Sequence, residues 1–83
     1  VLTLPFHDFA GANESLALLH ELGPAAVAAH VAALADRIVR WAVDRDDVAL
    51  VTSPDPARRA GIVSLRPRDP AAAARRLADA GVK

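Results

Sequence analysis

The chain of 83 residues contains no cysteine, no methionine and no tyrosine, a single tryptophan and two phenylalanines. Without cysteine there is no disulfide framework, no zinc–thiolate centre, no iron–sulfur cluster and no thiol nucleophile. Net charge is also missing: ten Lys and Arg offset ten Asp and Glu. No basic field is therefore available to draw nucleic acid or an anionic membrane onto the chain. No apolar run reaches the roughly 20 residues of a membrane-spanning helix, and Val1-Leu2-Thr3-Leu4-Pro5 has neither the basic flank nor the apolar stretch of a signal peptide. A soluble, cytoplasmic chain is the expectation.

Lysine is almost absent. The only one is Lys83, so the interior supplies no amine for a Schiff base. The four glycines, Gly11, Gly23, Gly61 and Gly81, stand apart and make no phosphate-binding loop. His7, His20 and His30 form no i,i+4 pair on one helix, which argues against a histidine metal site. His7-Asp8 reads as an irregular segment, with Asp8 in a turn or capping role. Ser15, Ser53 and Ser64 lack a nucleophile elbow and assemble no Ser/His/Asp set. Arg58-Arg59 and Arg75-Arg76 read as solvated surface arginines.

What the chain has in abundance is alanine, twenty residues in all, so the 53% hydrophobic content holds few large core-forming side chains. A domain this small is marginal alone and, lacking disulfides and metals, is expected to pack onto something else. The order of elements is nevertheless readable. A helix ends at Leu22, stopped by Gly23, with Asp8 to Glu14 leading into its run from Ser15. Pro24 opens a second helix to about Asp44, along which Val27, Val31, Leu34, Ile38 and Trp41 recur at spacings of four, three, four and three. That stripe is the predicted buried face. Asp36, Arg37, Arg40 and Asp44 are the predicted solvated face, with Asp36 and Arg40 paired at i,i+4.

Val48–Thr52 and Ile62–Arg66 read as strands joined by a turn-rich loop. Asp69 caps a third helix that begins at Pro70 and stops at Gly81. Val82-Lys83 reads as the first step of another strand, which implies truncation. The expected fold is α+β, a long helix packed on a small, mainly antiparallel sheet with the third helix on the same face.

These segments, in this order, resemble the C-terminal region of the class V aminotransferases, fold-type I pyridoxal-phosphate enzymes that include cysteine desulfurases and isopenicillin-N-epimerase-like proteins. The resemblance is carried by Leu18-Leu19-His20-Glu21-Leu22-Gly23, by the Ala-Asp-Arg-like centre Leu34-Ala35-Asp36-Arg37-Ile38, by Ser53-Pro54-Asp55-Pro56-Ala57-Arg58-Arg59-Ala60-Gly61-Ile62-Val63-Ser64-Leu65, and by Ala73 to Val82. It implies that residues 1–23 end a large domain and that residues 24–83 make most of a small C-terminal domain. It further implies a homodimeric parent that binds pyridoxal 5'-phosphate and acts on a small amino acid. The Schiff-base lysine and the substrate-carboxylate arginine would lie elsewhere in that parent, leaving this piece inactive alone. Thr3 stands where the family's Gly-Thr loop presents a threonine to the cofactor phosphate of the neighbouring subunit. Here Leu2 replaces the glycine and Leu4-Pro5 replaces Pro-Asn. The alternative is a small α+β interaction module without catalytic activity. The first reading leaves apolar surface exposed and predicts that the 83-residue chain self-associates; in the second, the apolar helix faces bind a partner.

Overall fold

The computed structural model describes residues 3–83, in the element order α1 (Phe6–Leu22), α2 (Pro24–Val43), β1 (Val48–Leu50), β2 (Leu65–Pro67) and α3 (Pro70–Asp79). Among the described residues the fold is α+β, with three α-helices and one two-stranded antiparallel sheet. The chain divides into two units, Val1–His30 and Val31–Lys83.

In the first unit, α1 begins at Phe6, well ahead of the expected run from Ser15, and carries Gly11 in its interior. An interior glycine costs about 1 kcal/mol against alanine, which the flanking Ala10, Ala12 and leucines outweigh. His7 and Asp8 are therefore helical, and the expected irregular segment is absent. Asp8 does not cap the helix; it sits in the first turn, where a carboxylate faces the positive end of the helix dipole. No residue of α1 is buried. Gly23 ends it with φ +88°, a left-handed conformation open to glycine, and its N–H donates to the Leu19 carbonyl at 3.0 Å. Pro24 then takes the first position of α2, where its missing N–H costs nothing.

In the second unit, β1 and β2 pair in the register Val48↔Pro67, Ala49↔Arg66 and Leu50↔Leu65. Val48, Leu50, Leu65 and Pro67 are half-buried on one face, while Ala49 and Arg66 are exposed on the other, the alternation that the strand's two-residue period requires. Both strands are shorter than expected. The N–H groups of Val51 and Thr52 both donate to the Ser64 carbonyl, at 2.9 and 3.3 Å, and the Ser64 N–H turns to the Thr52 Oγ1 at 2.7 Å. Two residues facing one, as in a β-bulge, end the regular ladder there.

Helix α3 follows its sequence signals. The Asp69 carboxylate accepts from the Ala72 N–H at 3.0 Å, Pro70 is the first helical residue, and α3 lies against β2. At the other end, Gly81 has φ +80° and donates to the Ala78 carbonyl at 3.0 Å, while the Val82 N–H donates to the Leu77 carbonyl at 2.9 Å. These two bonds make a Schellman motif. Val82 closes a helix and forms no strand, contrary to expectation.

The core also departs from the stripe read in the sequence. Ala35, Val39 and Ala42 are the buried residues of α2, whereas Val31, Leu34, Ile38 and Trp41 remain between about a third and a half exposed. The buried seam lies beside the predicted one and consists of small side chains. The loop between the strands also comes close to α2, at Val31. Gly61 lies so near α2 that a Cβ on it would come within 2.6 Å of Val31 Cγ1.

Candidate functional site

The loop between β1 and β2 is built from its own turn chemistry. Ser53 Oγ accepts from the Asp55 N–H at 3.2 Å, and the Asp55 carboxylate accepts from the Ala57 N–H at 2.9 Å, capping a single 3-10 turn over Pro56–Arg58. That turn aims the next residue, Arg59, back at α2. Its guanidinium donates to the Pro54 carbonyl at 2.7 Å and forms an ion pair with the Asp36 carboxylate. Only 4% of the Arg59 side chain is exposed, against 33% for Asp36.

Arg59 is thus no solvated surface arginine, and Asp36 does not belong to a purely solvated face. Burying a guanidinium without partners is costly, so the ion pair and the carbonyl bond are what allow it. The expected i,i+4 pair of Asp36 with Arg40 is also present, at 4.0 Å and with Arg40 largely exposed. The clamp is structural: two nitrogens of the Arg59 guanidinium are turned to the Asp36 carboxylate and the Pro54 carbonyl, and the side chain is almost wholly withdrawn from solvent.

A second cluster lies where α2 ends. Trp41 and Arg45 stack at 4.7 Å from guanidinium carbon to ring centroid, a cation–π contact. The same guanidinium forks onto Asp47 through Nε at 2.8 Å and a terminal nitrogen at 2.7 Å. Those hydrogen bonds hold the Asp47 carboxyl below its ordinary value, slight desolvation opposing them, and raise the Arg45 guanidinium. Trp41 and Arg45 continue into a groove of about 710 Å³ whose apolar floor includes Val48, Leu65 and Leu77. Arg68 and Arg76 line it as well, with the carboxylates of Asp47 and Asp69 among them. Sequence reading missed this groove, although Trp41 and Arg45 at i,i+4 were visible. A tryptophan at a predicted core position gave no reason to look for a cation above it.

The residues singled out in the sequence do not converge. Thr3 lies exposed in the short segment before α1, and no other polar side chain is hydrogen-bonded to it among the described residues. Leu2, beside it, lies outside the described residues. His7 and His20 occupy opposite ends of α1, and all three histidines are exposed. Among the described residues no group of His, Asp or Glu is arranged to hold a metal ion. Ser53 serves its turn, and the Ser64 N–H serves the sheet.

No family model, curated protein or solved structure matches the chain. The test of the cofactor reading is therefore the donor set itself. Thr3 offers one hydroxyl that could donate to a phosphate oxygen, and the sole lysine, Lys83, is exposed. One hydroxyl without an adjoining cation or backbone cradle does not make a pyridoxal-phosphate site. Thr3 would be one of several groups such a site needs, and no catalytic step is derived through the cofactor.

Proposed function

We propose that this chain is part of a pyridoxal-phosphate enzyme of fold type I, similar to the class V aminotransferases and cysteine desulfurases. Residues 1–23 would end its large domain, and residues 24–83 would form most of its small C-terminal domain. One observation carries the reading. Two of the segments on which the resemblance rests meet in space, Asp36 from the Ala-Asp-Arg-like centre pairing with Arg59 from the segment Ser53–Leu65. Chance likeness between alanine-rich helices gives no reason for two motif residues, 23 positions apart, to become ion-pair partners. Exposure supports it as well: Leu16, Ile38 and Trp41 stand about half exposed or more, as in a piece whose core is completed by other parts of a larger protein.

In this reading the parent is a cytoplasmic homodimer, and its chemistry is performed on the amino group or a C–S bond of a small amino acid. The cofactor supplies the electron sink when bound. This chain supplies the small-domain framework and, through Thr3, one hydroxyl toward the phosphate held by the neighbouring subunit. The alternative, a non-catalytic α+β interaction module, draws on the same exposed apolar faces.

The test is the visible absorption spectrum of the natural gene product, titrated with candidate amino acids. A cofactor band that shifts with one amino acid supports the enzyme and identifies its substrate class. A natural product that stays colourless after incubation with the cofactor leaves the module.

A further inference from the structure

The backbone of β1 carries hydrogen-bonding groups that nothing in the second unit meets. The Arg68 N–H donates to the Asp47 carbonyl at 2.9 Å, and the Val51 N–H donates to the Ser64 carbonyl at 2.9 Å. In an antiparallel pair such bonded positions alternate with unbonded ones. With the register Val48↔Pro67, Ala49↔Arg66 and Leu50↔Leu65, Ala49 therefore turns its N–H and C=O to β2, while Val48 and Leu50 turn theirs outward. No backbone or side-chain partner meets the groups of Val48 and Leu50 among the described residues.

The two outer edges of the sheet are not alike. On β2, Pro67 stands opposite Val48 at an unbonded position, so the donor it lacks is one that would have faced outward. Arg66 adds a charge to that strand, and α3 lies against it. Proline and charge are devices that keep a sheet edge from pairing. The other strand has neither: Val48-Ala49-Leu50 is apolar throughout. An edge of that kind is the one that takes a further strand. A sheet of two three-residue strands is also marginal by itself, and Val48 and Leu50 are only half-buried.

We propose that β1 pairs along its outer edge with an extended segment of the same polypeptide outside these 83 residues, which makes Val48–Leu50 a central strand. The occupant follows from what it must satisfy. Donors and acceptors on alternate residues call for a strand and not a helix. Beside Val48 and Leu50 it places apolar side chains, which continue the half-buried face. On the other face Arg66 stands opposite Ala49 and has no ion-pair partner among the described residues. Alanine is small enough for an arginine to reach across it to the next strand, about 10 Å away. The segment therefore places an acidic residue beside Ala49. A second copy fits less well, because pairing β1 with itself sets two Arg66 side chains on one face with only alanines between them. The inference rests on the reading that this chain is part of a larger protein, and not on its cofactor.

Hydrogen exchange at single amides, followed by NMR on the natural gene product and on the 83-residue chain, is the test. The Ala49 amide, turned to β2 in either case, is the internal reference. In the natural product Val48 and Leu50 should exchange about as slowly as Ala49, and in the 83-residue chain about tenfold faster than Ala49 or more. Arg66→Glu should speed their exchange in the natural product roughly fivefold, whereas Arg58→Glu, on the exposed loop, should leave it unchanged. Val48 and Leu50 amides that exchange freely in the natural product overturn the proposal. So does protection that appears only as protein concentration rises, which assigns the edge to a second copy, or protection indifferent to Arg66→Glu. The visible spectrum reads the cofactor separately: a natural product that binds no pyridoxal phosphate and still protects Val48 and Leu50 fails the enzyme reading alone.

Discussion

Asp36→Asn is the substitution that separates a clamp from a decorative ion pair. The Arg59 side chain is 4% exposed and keeps only two anchors, the Asp36 carboxylate and the Pro54 carbonyl. Removing one partner of a fully buried pair costs about 3–5 kcal/mol, and an exposed pair is worth at most about 1. Asp36 is a third exposed, so water reaches the orphaned guanidinium in part, and about 2 kcal/mol is expected. That is roughly a thirtyfold change in the folded-to-unfolded ratio. Urea unfolding of the chain followed by Trp41 fluorescence measures it, because Trp41 lies on the same helix. Arg59→Met should cost less, about 1 kcal/mol, since it removes the charge that needs a partner. The double variant should cost no more than Arg59→Met alone. If Asp36→Asn costs under about 0.5 kcal/mol, within the range of an exposed pair, the loop is held by something else and the argument fails.

Three further outcomes follow from particular contacts. Asp69→Ala removes the side-chain acceptor for the Ala72 N–H and should cost about 1 kcal/mol, read as a lower urea midpoint with fraying of α3. Gly61→Ala drives a methyl to 2.6 Å from Val31 Cγ1 and should cost about 1–3 kcal/mol; the added change Val31→Ala should recover most of it, and no recovery would place the strain elsewhere. The Asp47 carboxyl, held low by Arg45, favours the folded state above the ordinary carboxylate range. That contribution is lost as pH falls through the folded-state value. Its carboxyl carbon should titrate below the ordinary 3.8 in an NMR series, and Arg45→Gln should move the midpoint upward.

Local signals were the readable part of this sequence. Asp69, Pro70 and Gly81 bounded α3, and Gly23 with Pro24 divided the first two helices, because caps and breakers act within a turn of their own position. Side-chain size misled where tertiary approach decided burial. Leu34, Ile38 and Trp41 have the periodicity of a core, yet the smaller Ala35, Val39 and Ala42 beside them are the buried ones. The α1 start was misplaced because Gly11 and the His7-Asp8 pair resemble loop residues when read singly. Arg59 could not be told from Arg58 in the sequence; one capped turn buries the first and leaves the second in solvent. Val82 looked like a strand residue by type, but its N–H belongs to the helix before it.

The central claim, that the chain belongs to a pyridoxal-phosphate enzyme, is tested most directly by borohydride reduction of the natural gene product followed by peptide mass spectrometry. The account predicts a phosphopyridoxyl adduct on a lysine outside these 83 residues. No adduct at any lysine after incubation with the cofactor, or one confined to Lys83, would contradict it.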